Sequence, residues 1–139
     1  MLKFMDRFRD LGLLILRLGI GIMFIYRGWP KIDGGAEMWK GIGSAMGNLG
    51  INFLPEFWGL MSAVVEFGGG ALFALGLFFR PVALLMAINM AVAAVFHFHN
   101  GDNLMVASHA IELGIVFVSA FLIGPGKLSI DEIFFSRKK

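Results

Sequence analysis

Residues 57–79, FWGLMSAVVEFGGGALFALGLFF, form the most informative stretch of this chain. The stretch is apolar throughout except for one carboxylate, Glu66. A helix needs about 20 mostly apolar residues to cross the roughly 30 Å of hydrocarbon in a bilayer. The stretch therefore predicts a membrane-spanning helix with a single acidic side chain in its interior.

Three further segments have the same character, at residues 11–29, 81–98 and 104–123. The first contains Arg17 and Arg27, the second has no charged residue, and the third contains Glu112. Short turns join the last three apolar segments, so we expect neighbouring helices to run antiparallel. The predicted fold is all-α, a single membrane domain over residues 1–139 built as an antiparallel four-helix transmembrane bundle.

The composition of the whole chain agrees with a membrane protein. Hydrophobic residues make up 58% and charged residues 16% of the sequence, whereas soluble proteins have about 25% charged residues. So few charges exclude a soluble enzyme, and the basic residues gather at the chain ends rather than in a patch that could bind nucleic acid. The absence of cysteine excludes thiol chemistry and any Cys-ligated metal.

The long connection between the first two spans contains an amphipathic segment. Its apolar residues fall at helical spacing: Met38, Trp39, Ile42, Ala45, Met46 and Leu49. This pattern predicts a short helix that lies in the headgroup region or caps the outer mouth of the bundle. Because glycines are frequent here, a loop of low order is the alternative.

The distribution of Lys and Arg predicts the orientation of the chain, since cytoplasmic loops are enriched in these residues. One side would carry Lys3, Arg7, Arg9, Arg80, Lys127, Arg137, Lys138 and Lys139. The other side would carry only Lys31 and Lys40, with Arg27 at its border. We therefore expect a multi-pass inner (plasma) membrane protein with both termini in the cytoplasm.

Ionisable residues inside the predicted spans indicate a polar centre, because a charge near the bilayer middle is costly unless it is paired. We predict that Arg17 meets Glu66 and Glu112, since a guanidinium group can bridge two carboxylates. Glu66 and Glu112 are then candidate catalytic groups that move protons. The candidate ligand-binding residues are Arg17, Glu66, Glu112, His109 and Asn89. A salt bridge that only fixes helix register is the alternative.

The three histidines suggest a second kind of site. His97 and His99 lie at the outer end of the third predicted helix, where they could exchange protons with the outer phase. His109 and Glu112 share a face of the fourth helix and could in principle contribute to a metal site with Glu66. A single such pair is common by chance, so we predict no metal site.

Two motifs carry a resemblance to a known family, RLGIGIMFIYRGWPK at residues 17–31 and EFGGGALFALGLFFR at residues 66–80. A histidine before the Asn100–Gly101 turn, Glu112, and the tail GPGKLSID at residues 124–131 follow in the same order. With these features the chain resembles the DoxX family of small four-helix bacterial and archaeal membrane proteins.

The resemblance implies a membrane subunit like the one linked to thiosulfate:quinone oxidoreductase, or a membrane partner of another redox or detoxification enzyme. The family's helix 1 arginine corresponds to Arg17, and its acids correspond to Glu66 and Glu112. The thiol-based mechanism of other four-helix membrane redox proteins is not implied, since this chain has no cysteine.

Our leading hypothesis is a membrane component of a quinone-linked oxidoreductase system, with the quinone ring beside Arg17 and Glu66 or Glu112. The chain has no cofactor-binding motif of its own, so electrons would come from a soluble or membrane redox partner. Whether the chain is itself an enzyme stays open. The alternatives are transport or sequestration of a small solute or ion, and a structural anchor for a redox partner enzyme. Small residues on outward helix faces would allow a homodimer in the lipid bilayer.

Overall fold

The computed structural model describes residues 3–136, which form helices joined by turns. The α-helices are α1 (Arg9–Asp33), α2 (Gly35–Gly43), α3 (Pro55–Leu75), α4 (Phe79–His99), α5 (Leu104–Ile123) and α6 (Ile130–Phe135). Two 3-10 segments precede α1 and follow α2, at Lys3–Phe8 and Ser44–Leu49. The all-α prediction is confirmed. Three basic residues used to predict orientation, Arg137, Lys138 and Lys139, lie outside the described residues.

Three of the long helices, α3, α4 and α5, are long and apolar enough to cross a membrane. They correspond to the predicted spans at residues 57–79, 81–98 and 104–123. The fourth long helix, α1, has 25 residues but contains several charged side chains. The four-span bundle therefore stays a prediction that depends on α1.

The turn between α3 and α4 lies earlier in the chain than predicted. Gly76 ends α3 with a φ of 66°, the left-handed conformation that commonly closes a helix. The carboxylate of Asp131 then accepts hydrogen bonds from the backbone N–H groups of Phe78 and Phe79, both at 2.8 Å. A residue more than 50 positions away thus caps the start of α4.

Helices α1 and α3 pack antiparallel at very close range through glycine. A Cβ atom placed on Gly21 would lie 2.5 Å from the carbonyl oxygen of Gly70, and one on Gly28 would lie 2.6 Å from the backbone nitrogen of Phe67. Only glycine permits this approach of two backbones, which is typical of helix association in membranes. The register of the pair is fixed by these contacts.

A cluster of aromatic side chains joins the helices on the side of α4 and α5. Phe73 stacks on Phe79 with ring centroids 4.8 Å apart, and Phe117 meets the rings of Phe24 and Phe73 edge-on at 5.2 and 5.3 Å. Such edge and offset contacts are the favoured aromatic geometries. These rings belong to the buried core, which also includes Val82, Ala83, Met86, Ala87, Met90 and Ala120.

The connection between α1 and α3 is helical and is held against α3. Helix α2 and the 3-10 segment cover residues 35–49, so the predicted short helix is confirmed and the loop alternative is wrong. A Cβ on Gly59 would lie 1.7 Å from the carbonyl oxygen of Trp39, so the two backbones are in direct contact. This docking places the segment beside the N-terminal half of α3.

Candidate functional site

An ion pair between Lys31 and Glu66 joins α1 to α3. Lys31 Nζ lies 2.7 Å from both carboxylate oxygens of Glu66. Glu66 is only 6% exposed, whereas the Lys31 side chain retains about a third of its accessibility. Buried carboxylates need a cation and further hydrogen-bond donors to offset lost hydration, and Lys31 supplies the cation.

The amide of Asn89 extends this pair onto α4. Asn89 Nδ2 donates to Glu66 Oε1 at 3.2 Å, and Ser62 Oγ donates to Asn89 Oδ1 at 2.8 Å. Side chains from three helices therefore form one connected polar network. The structure thus brings together two of the predicted site residues, Glu66 and Asn89.

Lys31 reaches this network because α1 extends beyond Trp29, where the predicted span ends. The helix continues through Pro30 to Asp33. The buried residues of α1 recur every three to four positions, at Arg17, Gly21, Phe24 and Gly28. The next position in that series is Lys31, so continuing the spacing one more turn would have found this residue.

Helix α2 secures the end of α1 at the same place. Trp39 Nε1 donates a hydrogen bond of 2.7 Å to the backbone carbonyl of Lys31. A carbonyl in the last turn of a helix lacks an intrahelical donor, and the indole supplies one. The contact fixes the last turn of α1 and with it the position of Lys31.

A cleft of about 630 Å³ opens beside the ion pair, between α3, α4 and the α2 segment. We call it the Glu66 cleft. Its polar end is formed by Lys31, Ser62, Glu66 and Asn89. Its apolar walls include Ile42, Met46, Phe57, Trp58, Met61, Val65, Leu85, Ile88, Val92 and Phe96. An apolar pocket with a few convergent polar groups is the usual form of a small-molecule site.

One wall of the Glu66 cleft carries an unused hydrogen-bond donor. Trp58 Nε1 is buried and has no hydrogen-bond partner among residues 3–136. A buried donor without a partner costs free energy, so such groups usually have a role or bind a molecule. Trp58 therefore has a spare N–H donor that is covered by protein, and a ligand in the cleft could bond to it only after a local side-chain rearrangement.

The predicted cluster of Arg17 with Glu66 and Glu112 is wrong. Arg17 is 1% exposed and donates to the backbone carbonyl of Leu128, beside Gly76 at the C-terminal end of α3. The antiparallel register places Lys31 opposite Glu66, and Arg17 lies 14 residues away on α1, about 21 Å along the helix.

Glu112 and His109 also lie outside the Glu66 cleft. Both are exposed on α5. His109 Nε2 accepts a hydrogen bond from Arg27 Nη1 on α1, because arginine can only donate. The prediction that these residues share a site with Glu66 is therefore also wrong, since α5 packs on α4 and turns this face outward.

The remaining histidines lie near the turn between α4 and α5. His97 Nδ1 is 2.8 Å from the carboxylate of Asp102, and His99 is exposed. Within residues 3–136, no three His, Cys, Asp or Glu side chains are close enough to hold a metal ion. His97 and His99 are not among the residues that line the Glu66 cleft.

Comparison with known proteins gives consistent matches over most of the chain. The "Inner membrane protein YqjF" of Escherichia coli (strain K12) is 32% identical over 132 residues, which cover 93% of this chain and 96% of that protein. The "Inner membrane protein YphA" of the same organism is 28% identical over 88% of this chain and 90% of that protein. The "Putative oxidoreductase CatD" of Bacillus subtilis (strain 168) is 28% identical over 97% of this chain and 96% of that protein.

No solved structure matches the chain. The profile of the DoxX family matches residues 12–100, which include Lys31, Glu66 and Asn89. That match covers α1 through α4 and therefore every residue of the polar network. This chain belongs to the DoxX family.

Proposed function

We propose that this chain is a multi-pass inner-membrane protein whose Glu66 cleft binds the ring of an isoprenoid quinone for a partner redox enzyme. Two relatives named as inner membrane proteins support the location, and one named as an oxidoreductase supports a redox context. The observation that carries the proposal is the polar network of Lys31, Glu66 and Asn89 in the lining of an otherwise apolar cleft.

The proposal includes a fourth span, formed by α1. Its 25 residues extend about 37 Å, enough to cross the hydrocarbon. Arg17 is buried beside Gly76 and Lys31 pairs with Glu66, so neither of these charges needs to contact lipid. With α1 across the bilayer, both termini share one side, and the excess of basic residues on that side supports the cytoplasm. The Glu66 cleft then opens near the outer face.

The dimensions and chemistry of the cleft fit a quinone ring. Its volume of about 630 Å³ lies within the range of about 300–1,000 Å³ that is typical of ligand pockets. A quinone ring is flat and apolar and has two carbonyl acceptors at opposite edges. The cleft offers apolar and aromatic walls together with the Lys31 ammonium as a donor, and the covered Trp58 indole N–H would supply a second donor if the ring shifts on binding.

Access to the cleft favours a ligand that dissolves in the membrane. Leu85 and Ile88 on α4 line the cleft and are 51% and 53% exposed. In a bilayer this rim faces lipid, so an isoprenoid tail could remain among acyl chains while the ring enters between α3 and α4. A strongly hydrated solute has no comparable route through an apolar rim.

The residues of the cleft have separate tasks in this proposal. A bound quinone supplies the capacity to take up two electrons and two protons, with the electrons delivered by a partner redox enzyme. Lys31 Nζ has a hydrogen to spare for a carbonyl acceptor beyond its bonds to Glu66. The Glu66 carboxylate can hold or release a proton at its oxygens, and Asn89 orients it.

One feature favours this proposal over transport of a solute or ion. Between Lys31 and Arg17, the close α1–α3 contacts join Gly21, Phe24 and Gly28 of α1 to Phe67, Gly70 and Ala74 of α3. This close-packed stretch has no polar side chain that could replace the hydration of an ion. The interface is therefore better suited to hold a ligand at one end than to pass one through.

The test is to purify the protein in mild detergent, extract its lipids and measure quinone by mass spectrometry. We expect quinone in the wild type and in the Lys40→Met control, whose exposed lysine lies on α2, and loss of quinone in Lys31→Met. Arg17→Met should retain it, since Arg17 is remote from the cleft. Wild-type protein that neither carries quinone nor binds an added short-chain quinone would contradict the proposal.

A further inference from the structure

The outward face of α5 carries polar side chains where a lipid-facing helix would carry apolar ones. His109, Glu112 and Ser119 are exposed, and their spacing of three and seven residues places them on one side of the helix. The other side of α5 packs Ala107, Ala110 and Phe117 into the molecule. Since α5 is apolar and long enough to span the bilayer, this polar stripe would lie inside the hydrocarbon.

Glu112 is the residue of this stripe whose exposure to hydrocarbon would cost the most free energy. It lies eight residues after Leu104, about 12 Å into a helix about 30 Å long, which is close to its middle. Within residues 3–136, its side chain makes no hydrogen bond and no salt bridge. An ionisable side chain at this depth faces protein or a water-filled cavity in nearly all membrane proteins. The monomer offers Glu112 neither.

The neighbouring face of α1 supplies the opposite charge. Arg27 is exposed and contacts His109, and it has no carboxylate partner among residues 3–136. An apolar groove of about 720 Å³ runs from this pair between α1 and α5, lined by Leu16, Gly19, Met23 and Leu113 among others. Gly19 has open space beside it, so another helix could approach closely here.

We infer that the α1–α5 face is the interface of a homodimer, in which Arg27 and His109 pair with the partner's Glu112. The face is self-complementary, since it carries one cation, Arg27, and one carboxylate, Glu112. A twofold axis along the membrane normal keeps both copies in the same orientation. It places residues of one copy opposite residues at the same membrane depth in the other. Glu112 lies three residues, about 4.5 Å, below His109, and an arginine side chain spans that distance. This inference does not depend on quinone binding.

The absence of native cysteine makes the contact directly measurable, because a single introduced cysteine reports its own neighbours. Ser119→Cys places a thiol on the proposed interface with little change in volume. Leu84→Cys is the matched control, since Leu84 is 45% exposed on α4. Leu84 lies near the N-terminal end of α4 and Ser119 near the C-terminal end of α5, and these two ends are on the same side of the antiparallel pair. With a short bismaleimide in native membranes, we expect crosslinked dimers from Ser119→Cys and not from Leu84→Cys.

Charge reversal tests the proposed pairs. In a dimer of Arg27→Glu, glutamate would face glutamate at both symmetric contacts, and in a dimer of Glu112→Arg, positive charges would meet there. We expect each variant alone to self-associate about tenfold more weakly than the wild type. When the two variants are co-expressed with different tags, both pairs are restored in the mixed dimer, which should be recovered at the wild-type level.

Three results would overturn the inference: an uncrosslinked Ser119→Cys protein, equal crosslinking at Leu84→Cys, or a mixed dimer no more abundant than either variant dimer. Restoration within a single chain cannot mimic the mixed-dimer result, because each chain carries only one of the two reversals. Should a reversed variant fail to accumulate, the comparison of the two cysteine variants decides the matter alone.

Discussion

Arg17 and Lys31 lie on the same face of α1 but contact different parts of α3. Lys31 binds Glu66 near the middle of α3, and Arg17 lies beside Gly76 at its C-terminal end. About 21 Å of helix separates them. The chain therefore has two distinct polar regions on this interface. One lines the Glu66 cleft, and the other joins α1 to the C-terminal segment through the carbonyl of Leu128.

Removing Lys31 should destabilise the protein by leaving Glu66 without its cation. Glu66 is 6% exposed, and we expect Lys31→Met to lower the free energy of unfolding by about 2 kcal/mol. The double variant Lys31→Met with Glu66→Gln should recover most of this loss, because no buried charge remains and Asn89 keeps an acceptor. Thermal unfolding in detergent measures both effects. Equal destabilisation of the single and double variants would show that the pair is not the cause.

The same double variant separates stability from ligand binding. It should fold like the wild type yet fail to bind a short-chain quinone, because the ammonium donor is absent. If the double variant were to bind quinone with unchanged affinity, the Lys31–Glu66 pair would have only a structural role in the bundle.

Trp58→Phe should weaken quinone binding and leave stability unchanged. The substitution keeps an aromatic ring in the wall of the cleft and removes Nε1, which has no partner among residues 3–136. Loss of one neutral hydrogen bond to the ligand corresponds to about 1 kcal/mol, or about a fivefold rise in Kd. Trp29→Phe is the control, since Trp29 packs on Phe67 and does not line the cleft. Equal affinities of the wild type and Trp58→Phe would remove Trp58 from the site.

Gly21→Ala should separate α1 from α3. The new Cβ would lie 2.5 Å from the carbonyl oxygen of Gly70, a backbone atom that cannot move aside alone. We expect a loss of about 1–3 kcal/mol, as for other overpacked interiors. Gly12→Ala on the same helix meets open space and should be neutral or slightly stabilising. Thermal unfolding of the two variants compares them, and similar melting temperatures would contradict the observed packing.

Asp131→Ala should loosen the start of α4. The carboxylate caps the N–H groups of Phe78 and Phe79, and loss of such a cap costs about 1 kcal/mol. Hydrogen exchange should become faster in the first turn of α4. Glu132→Ala provides the control, because the exposed Glu132 side chain makes no hydrogen bond among the described residues. Unchanged exchange in Asp131→Ala would rule out a capping role.

The helical content and the three apolar spans were largely predictable from the sequence because their signals are local. The apolar segment at residues 104–123 matches α5 residue for residue, since Asn103 begins the helix and Gly124 ends it. The start of α4 was not predictable in the same way. It depends on a cap from Asp131, and no local pattern in the sequence connects positions so far apart.

The candidate site was predicted only in part, and the errors have two physical causes. Glu66 and Asn89 were selected because polar residues inside apolar spans need partners. Lys31 was missed because the predicted span ends at Trp29, whereas the helix continues to Asp33 and the spacing of its buried residues leads on to Lys31. The pairing of Arg17 with Glu66 was wrong because register between two helices is set by the glycine contacts at Gly21 and Gly28, not by distance from the ends of the spans.

Photoaffinity labelling of the purified protein with a short-chain azidoquinone, followed by mapping of the modified peptides, tests whether a quinone ring occupies the Glu66 cleft. We expect labels on residues of its walls, such as Met61, Ile88 and Val92. An excess of unlabelled quinone should prevent them, and Lys31→Met should abolish them. Labels spread over the lipid-facing surface, or cleft labels that persist in the presence of competitor, would contradict quinone binding at this site.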